Sequence, residues 1–409
     1  MIAVKDGKDV YLSRFSRFEA ESSENGRSPL GRLRRAAIER FAALDFPTLK
    51  DEEWRFTNLA PFLKVPFEPA PADGWTPQSA ISNPQSTDGV LVCGLADALT
   101  RYRNLVEPHL ARLADEVSHV FTALNTAFLR DGVFVYVPPG KVVEEPIHLT
   151  FRPAASDRPL AWQRRCLIVA GANSRAQVVE DYRGPDGVYF TNAVTEVVAA
   201  ENAVLDHYRV QREGKGAFHV ATVQVRQERG SRFTSHNFAD GGALARTDLN
   251  VRLDAEECEC TLNGLYLASG DRLVDNHTRI DHARPRCTSH ELYKGILDGR
   301  GRGVFNGKIY VHPDAQKTDA RQTSKTLLLS DDAVIDAKPQ LEIFADDVKC
   351  THGASIGQLD EEAIFYLRTR GIGREDARRL LTRAFANDII GRVRIEALRS
   401  RLEVDIGGS

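Results

Sequence analysis

The sequence predicts a mainly β fold: a parallel β-helix flanked by helical regions at both ends. Three observations predict it. Alternating apolar and polar residues, the period of a strand, run from about residue 131 to 353. A turn-plus-strand unit recurs along that stretch. Three-to-four spacing, the period of a helix, is confined to the residues before and after it.

The first zone, 1–130, reads as mostly helical. Leu33, Ala36, Ala37, Arg40, Phe41 and Leu44 follow one stripe, and Pro47 ends it. Residues 64–90 carry Pro66, Pro69, Pro71, Pro77 and Pro84 among Ser, Asp and Gly, which predicts a linker or surface loop. Helical spacing returns over 105–113 and 117–129. The Arg-rich stretch 27–35 follows Glu19, Glu21 and Glu24; organelle transit peptides avoid acids, so a solvated helix face is expected there.

The second zone, 131–356, is the β core. Val133-Phe134-Val135-Tyr136-Val137 is a β-branched and aromatic run closed by Pro138-Pro139-Gly140, and Ile147-His148-Leu149-Thr150-Phe151 follows. Turn residues then begin new units at Asn173, Asn202, Gly230, Glu256 and Pro285, which are 29, 28, 26 and 29 positions apart. Shorter intervals follow, with units starting at Asp314, Asp331 and Asp346. Strand-turn units that cannot bury a face alone must stack on their neighbours. A parallel β-helix satisfies this, and so does an antiparallel sandwich; the near-constant period and an expected scarcity of Asn-Gly or Asp-Gly hairpin turns favour the helix. Long helical patterns are missing here, which argues against a doubly wound α/β sheet.

The third zone, 357–409, is helical again. Asp360, Glu361 and Glu362 place acids at a helix N-terminus, where they complement its dipole, and Gly371 suits a C-cap. A second helix aligns Ala377, Leu380, Leu381, Ala384 and Phe385, and Ile389, Ile390, Val393, Ala397, Leu398 and Leu402 continue the stripe. Covering the last rung of the solenoid is one role for these helices, and presenting an apolar groove to a partner is another.

Composition narrows the function classes. The 409 residues are 42 % apolar and 27 % charged with net charge −3, so no basic face for nucleic acid is expected. No apolar run reaches about 18 residues, so no membrane span is expected. The N-terminus lacks the apolar stretch of a signal peptide, which predicts a cytoplasmic, reducing setting. The six cysteines at 93, 166, 258, 260, 287 and 350 show no regular framework and no Cys-x-x-Cys.

Gly299, Gly301, Gly303 and Gly307-Lys308 lack P-loop spacing, and Ile309 stands where Ser or Thr is needed, so tight turns explain them better. Cys258 and Cys260 share a strand face, with Cys287, His290, His277 and His282 about one repeat away. They are metal-ligand candidates, or else buried ladder residues. Val348, Cys350 and His352 share one face of the final strand, where no further rung need cover them. A soft thiolate beside an imidazole suits iron or an iron–sulfur cluster, but two ligands leave a site incomplete. No hydrolase motif of the Gly-x-Ser-x-Gly or His-Glu-x-x-His type is expected. The acids Asp331, Asp332, Asp336, Asp346 and Asp347 leave a β-helical carbohydrate-active enzyme, a lyase or hydrolase, as the alternative reading.

The sequence resembles the SufD family. Pro339-Gln340-Leu341-Glu342-Ile343-Phe344-Ala345-Asp346-Asp347-Val348-Lys349-Cys350-Thr351-His352-Gly353-Ala354 looks like its signature and leads into the similar Ile364-Phe365-Tyr366-Leu367-Arg368-Thr369-Arg370-Gly371-Ile372. Phe46-Pro47-Thr48-Leu49-Lys50-Asp51-Glu52-Glu53-Trp54-Arg55-Phe56-Thr57 resembles a block shared with SufB proteins. Asn306-Gly307-Lys308-Ile309-Tyr310-Val311 and Ala320-Arg321-Gln322-Thr323-Ser324-Lys325 add to it. The resemblance implies a right-handed parallel β-helix and a non-catalytic scaffold for iron–sulfur cluster assembly. It implies a heterodimer with SufB, with a homodimer open for the isolated chain, and docking of the ATPase SufC on the C-terminal helices. Leu380, Leu381 and Phe385 are the expected SufC-facing residues. His352 is expected to hold iron or nascent cluster at the heterodimer contact, with Cys350 as a nearby thiol. No tightly bound cofactor is expected in the chain alone.

Overall fold

The computed structural model describes residues 5–21, 28–71, 81–82, 89–114, 119–130 and 132–407. From Val133 onward the strands alternate between two sheets. Sheet A takes, in spatial order, Val133–Val137, Leu160–Ala170, Phe190–Ala199, Phe218–Gln227, Leu244–Leu253, Leu273–His282, Arg302–Val311 and Val334–Ile343. Sheet B takes Ile147–Phe151, Arg175–Arg183, Val204–Arg212, Arg232–Ala239, Glu259–Ala268, Thr288–Leu297, Asp319–Leu328 and Lys349–Gly357. Neighbours within these sets pair in parallel, each with the strand one coil away. The result is a parallel β-solenoid of eight coils, which resolves the choice left open against a sandwich.

The repeat has a backbone cause. The same corner of six successive coils holds a residue in the left-handed region: Asn173, Asn202, Gly230, Glu257, Arg286 and Lys317, with φ between 56° and 65°. Only one is glycine, so the stacked corner imposes a conformation that costs most residues about 1 kcal/mol or more. Each of their N–H groups donates to a carbonyl on the next coil, from Asn173 to Glu201 through to Lys317 to Asp347. The repeat units assigned to Glu256 and Pro285 therefore start one residue early. The apparent shortening after Asp314 is also corrected: Asp331 precedes a sheet A strand and Asp346 a sheet B strand, so half-coils were counted.

Inward side chains fill the solenoid. Val135, Ile168, Val178, Leu205, Val223, Leu249 and Leu262 belong to one buried cluster that runs along its length. Polar groups are buried in the same interior, and some pair with each other. His207 Nε2 lies 2.9 Å from Glu180, and Tyr182 donates to Glu180 at 2.6 Å.

The two ends differ. At the first coil, Leu91–Gly94 pairs antiparallel with Val133–Val137, and Ile81–Ser82 pairs antiparallel with Ile147–Phe151. The N-terminal helices Lys5–Glu21, Pro29–Ala43 and Val120–Ala127 join an aromatic-rich cluster with the outer face of sheet A, where Phe190, Phe218 and Leu244 lie. Glu196, on that face, accepts from the backbone N–H of Ala111, Leu113 and Ala114 and pairs with buried Arg165 at 2.5 Å. Two expectations need correction here. Helical spacing at 105–113 yields only the short helix Arg103–Val106 followed by turns. Arg34, expected on a solvated face, is buried; it donates to the Leu129 carbonyl at 2.6 Å and lies over the Phe18 ring. The Pro-rich segment 64–90 lies partly outside the described residues, which within it are 64–71, 81–82 and 89–90.

At the other end the chain leaves the solenoid through the helices Glu361–Thr369, Arg374–Ile390 and Glu396–Gly407. Asp360 caps the first through Glu362 N–H, and Gly371, at φ +86°, ends it. Ala386, Ile389, Ile390, Val393, Leu398 and Leu402 cover Tyr208, Val210, Phe238, Leu265 and Ile296 on the outer face of sheet B. The helices thus lie along the flank of the coils and leave the last rung uncovered.

Candidate functional site

Lys349–Gly357 is the final strand of sheet B. Cys350 is opposite Ala320 and His352 opposite Gln322. Strand alternation puts both on the inward face. The column ending at His352 contains Val178, His207, Ser235, Leu262, Glu291 and Gln322, all buried. His352 has the same orientation in the coil yet is exposed, because no coil follows it. Cys350 is half-buried against Ile309, Ala320, Leu341 and Val348. Burial pushes its thiol pKa up, so alone it favours the protonated form.

These two donors do not make a complete metal site. Among the described residues no group of three or more His, Cys, Asp or Glu side chains is arranged so that it could hold a metal ion. The other sequence candidates scatter. His277 faces outward beside Asp275 and Glu53, His282 is buried against Ser289 at 2.8 Å, and His290 is exposed on the outer side of sheet B. Of the earlier cysteine group, only Cys258 and Cys287 share a contact atom, the Ala255 carbonyl.

The expectation of no Gly-x-Ser-x-Gly needs correction. Gly353-Ala354-Ser355-Ile356-Gly357 has the spacing of a nucleophile elbow, which requires a sharp strand-to-helix turn. Here all five residues are extended in the last strand, so Ser355 lacks that geometry.

The helical arm presents a second surface. Leu380 is exposed, whereas Leu381 and Phe385 are half-buried. Phe385 also packs into the cluster on sheet B and lies 4.2 Å beneath the Lys294 ammonium, so it is partly structural. Phe365 and Tyr366, outside the expected SufC-facing set, are 65 % and 59 % exposed. The signal was available: Ile364 is the buried residue of that helix, and the next two positions turn away from it.

The block 46–57 has a structural role that its sequence did not reveal. Trp54 is buried with the Arg246 guanidinium 3.7 Å above its ring, and Thr57 donates to Asp275 at 2.5 Å. Glu53 reaches His277 at 3.2 Å and accepts from Asn306 at 2.9 Å. Burial opposes ionisation of Asp275, but His277 and Arg246 outweigh it and hold the carboxyl at about 2. The block thereby clamps strands of three successive coils. Beside it lies a polar cleft of about 420 Å³ lined by Glu53, His119, Arg246, Asp248, Arg279 and Lys308, among others. The carboxylates there are engaged with neighbouring basic side chains: Asp248 with Arg246, Asp281 with Arg279, and Glu53 with His277. Such pairing is unlike a free carboxylate pair of a glycosidase.

Residues 151–385, more than half of the chain, match the family described as SUF system FeS cluster assembly, SufBD core domain, and 72–149 match the SufBD protein N-terminal region. An iron-sulfur cluster assembly SufBD family protein of Synechocystis sp. is 32 % identical over 404 residues, 90 % of this chain and 88 % of the relative. Iron-sulfur cluster assembly protein SufD of Escherichia coli (strain K12) is 31 % identical over 404 residues, 95 % of this chain and 94 % of the relative. The SufD of Bacillus subtilis (strain 168) is 28 % identical over 333 residues, 79 % and 74 % respectively. No helix among the described residues is long and apolar enough to cross a membrane. The solenoid, its family profiles and its SufD relatives agree: this chain belongs to the SufBD family and has a role in iron–sulfur cluster assembly.

Proposed function

We propose that the chain is the SufD-type, non-catalytic scaffold subunit of a cluster assembly complex. It pairs with SufB through the open end of the solenoid and carries SufC on its C-terminal helical arm, where ATP hydrolysis belongs to SufC. The observation that supports this most is the last rung. Val334–Ile343 and Lys349–Gly357 end their sheets, and an unpaired strand edge is a ready template for another chain. Ile343, Phe344 and Ile356 are exposed beside it. A second solenoid joined there would cover the edges and bring further ligands to His352. Iron or nascent cluster is cargo at that contact: His352 supplies a neutral imidazole, and Cys350 supplies a thiol whose deprotonation a bound metal would favour.

Phe365, Tyr366 and Leu380 form the SufC-facing set, joined by the half-buried Leu381 and Phe385. Deleting 374–409 is a poor test, because those helices cover an apolar face of sheet B. The decisive experiment expresses the chain with SufB and SufC and compares it with His352→Ala. The expected result is a stable ATPase-containing complex in both cases and lost cluster maturation in the variant. A folded chain that binds neither partner, or a variant with full maturation, overturns the reading.

A further inference from the structure

The column just inside the αL corner is made of small residues: Ser174, Ala203, Ser231, Cys258, Cys287 and Thr318. Cys258 and Cys287 are neighbours in it. The strands that follow them pair directly, Glu259 with Thr288, and Thr288 N–H donates to the Cys258 carbonyl at 2.9 Å. Stacked coils lie about 4.8 Å apart, within the about 4.4–6.8 Å between Cα atoms that a disulfide spans. Both thiols donate to one oxygen, the Ala255 carbonyl, each at 3.2 Å. Two sulfurs aimed at one atom from adjacent coils are held close to each other. Both side chains are buried, but the preceding residues, Glu257 and Arg286, are exposed at the corner turn. One turn of backbone therefore separates the pair from solvent. Cys260, the next inward cysteine, is also buried but makes neither contact.

We propose that Cys258 and Cys287 are a dithiol modification site that a peroxide closes into a disulfide between adjacent coils. In this proposal Cys258 is the attacking sulfur: once it loses its proton, the Cys287 S–H turns from the shared Ala255 carbonyl to the Cys258 thiolate. Its thiolate attacks one oxygen of the peroxide, the O–O bond breaks, and a sulfenic acid forms as hydroxide leaves. The Cys287 sulfur then attacks the Cys258 sulfur; the S–S bond forms, the S–O bond breaks, and the second oxygen leaves as water. Two thiols and one hydrogen peroxide give one disulfide and two waters, with two electrons passing from sulfur to oxygen. The closed loop joins positions 258 and 287 and restricts the unfolded chain, so the oxidised protein is the more heat-stable form.

The test treats the folded chain with hydrogen peroxide, blocks remaining thiols under denaturing conditions and maps peptides by mass spectrometry. The expected result is a peptide pair joined through Cys258 and Cys287, two thiols fewer per chain, and a higher melting midpoint that dithiothreitol reverses. Mapping the unmodified chain does not depend on any variant folding. Cys287→Ser should remove the linked peptide and leave Cys258 as a trapped sulfenic acid or mixed disulfide. Six blockable thiols after treatment, a link through Cys260, or over-oxidation of separate cysteines without a link would each overturn the assignment.

Discussion

The same inward column holds two histidines in opposite circumstances. His207 sits in the middle of the solenoid, buried, with Glu180 at 2.9 Å. His352 sits at the end, exposed, opposite Gln322 on one side only. Their strand periodicity is identical. What differs is whether another coil follows, and that alone separates a stability residue from a candidate binding residue. The contrast extends to whole strands. Val133–Val137 in the first coil is almost entirely buried under its antiparallel neighbour and the N-terminal helices, whereas no residue of Val334–Ile343 in the last coil is fully buried. Coverage at one end and its absence at the other are what single out the last rung as the proposed face for association.

The largest effect should come from the covered end. Glu196→Ala leaves Arg165 as an unpaired buried cation and frees three backbone N–H groups of 111–114. A loss of about 3–5 kcal/mol is expected, read as a lower denaturation midpoint. A loss under about 1 kcal/mol would mean that the N-terminal cap is not held through this carboxylate.

The second effect tests the interior by pH. Burial pushes the Glu291 carboxyl from 4.5 up to about 7. Between those values the folded chain holds a proton that the unfolded chain has lost. Stability from this group is therefore fully present at low pH and falls as pH rises through that window, by about 3 kcal/mol in all. Glu291→Gln should flatten that part of the stability–pH curve while keeping an acceptor for Gln322. An unchanged slope would show that the interior is wetter than its packing implies.

The arm should respond in binding and hardly in folding. Phe365→Ala and Leu380→Ala remove exposed side chains, so unfolding should shift by no more than about 0.5 kcal/mol. Affinity for SufC, measured by calorimetry, should fall about tenfold or more. Equal affinity would move the docking surface elsewhere. The smallest stability change is expected for His352→Ala, within about 0.5 kcal/mol, against about 1–3 kcal/mol for His207→Ala. If the two histidines cost the same, the open end is not open in solution.

How much was legible in the sequence follows from the range of the physics. Periodicity is local, so the β zone, its helical flanks and the stacked repeat could be read directly, as could the Asp360 cap and the Gly371 stop. Turn chemistry was less decisive. Asp186-Gly187 and Asp298-Gly299 are dipeptides that often close hairpins, yet here they join strands of opposite sheets. The corner residue was missed by one position in two units because Glu257 and Arg286 take a left-handed conformation that their side chains do not advertise. The alignment of Cys350 and His352 on one face was likewise readable from strand alternation.

Sequence alone thus determined the fold class, the repeat and which residues point inward, because alternation and turn spacing depend on near neighbours along the chain. Tertiary structure decided which inward residues are covered. It placed Arg34 in the core and Phe365 in solvent, turned 46–57 into a clamp across three coils, and brought Cys258 beside Cys287. It also kept His277, His282 and His290 apart despite their proximity in sequence. Burial and side-chain convergence are set by which coil, helix or chain end comes next in space, and residues far apart in the chain fix that.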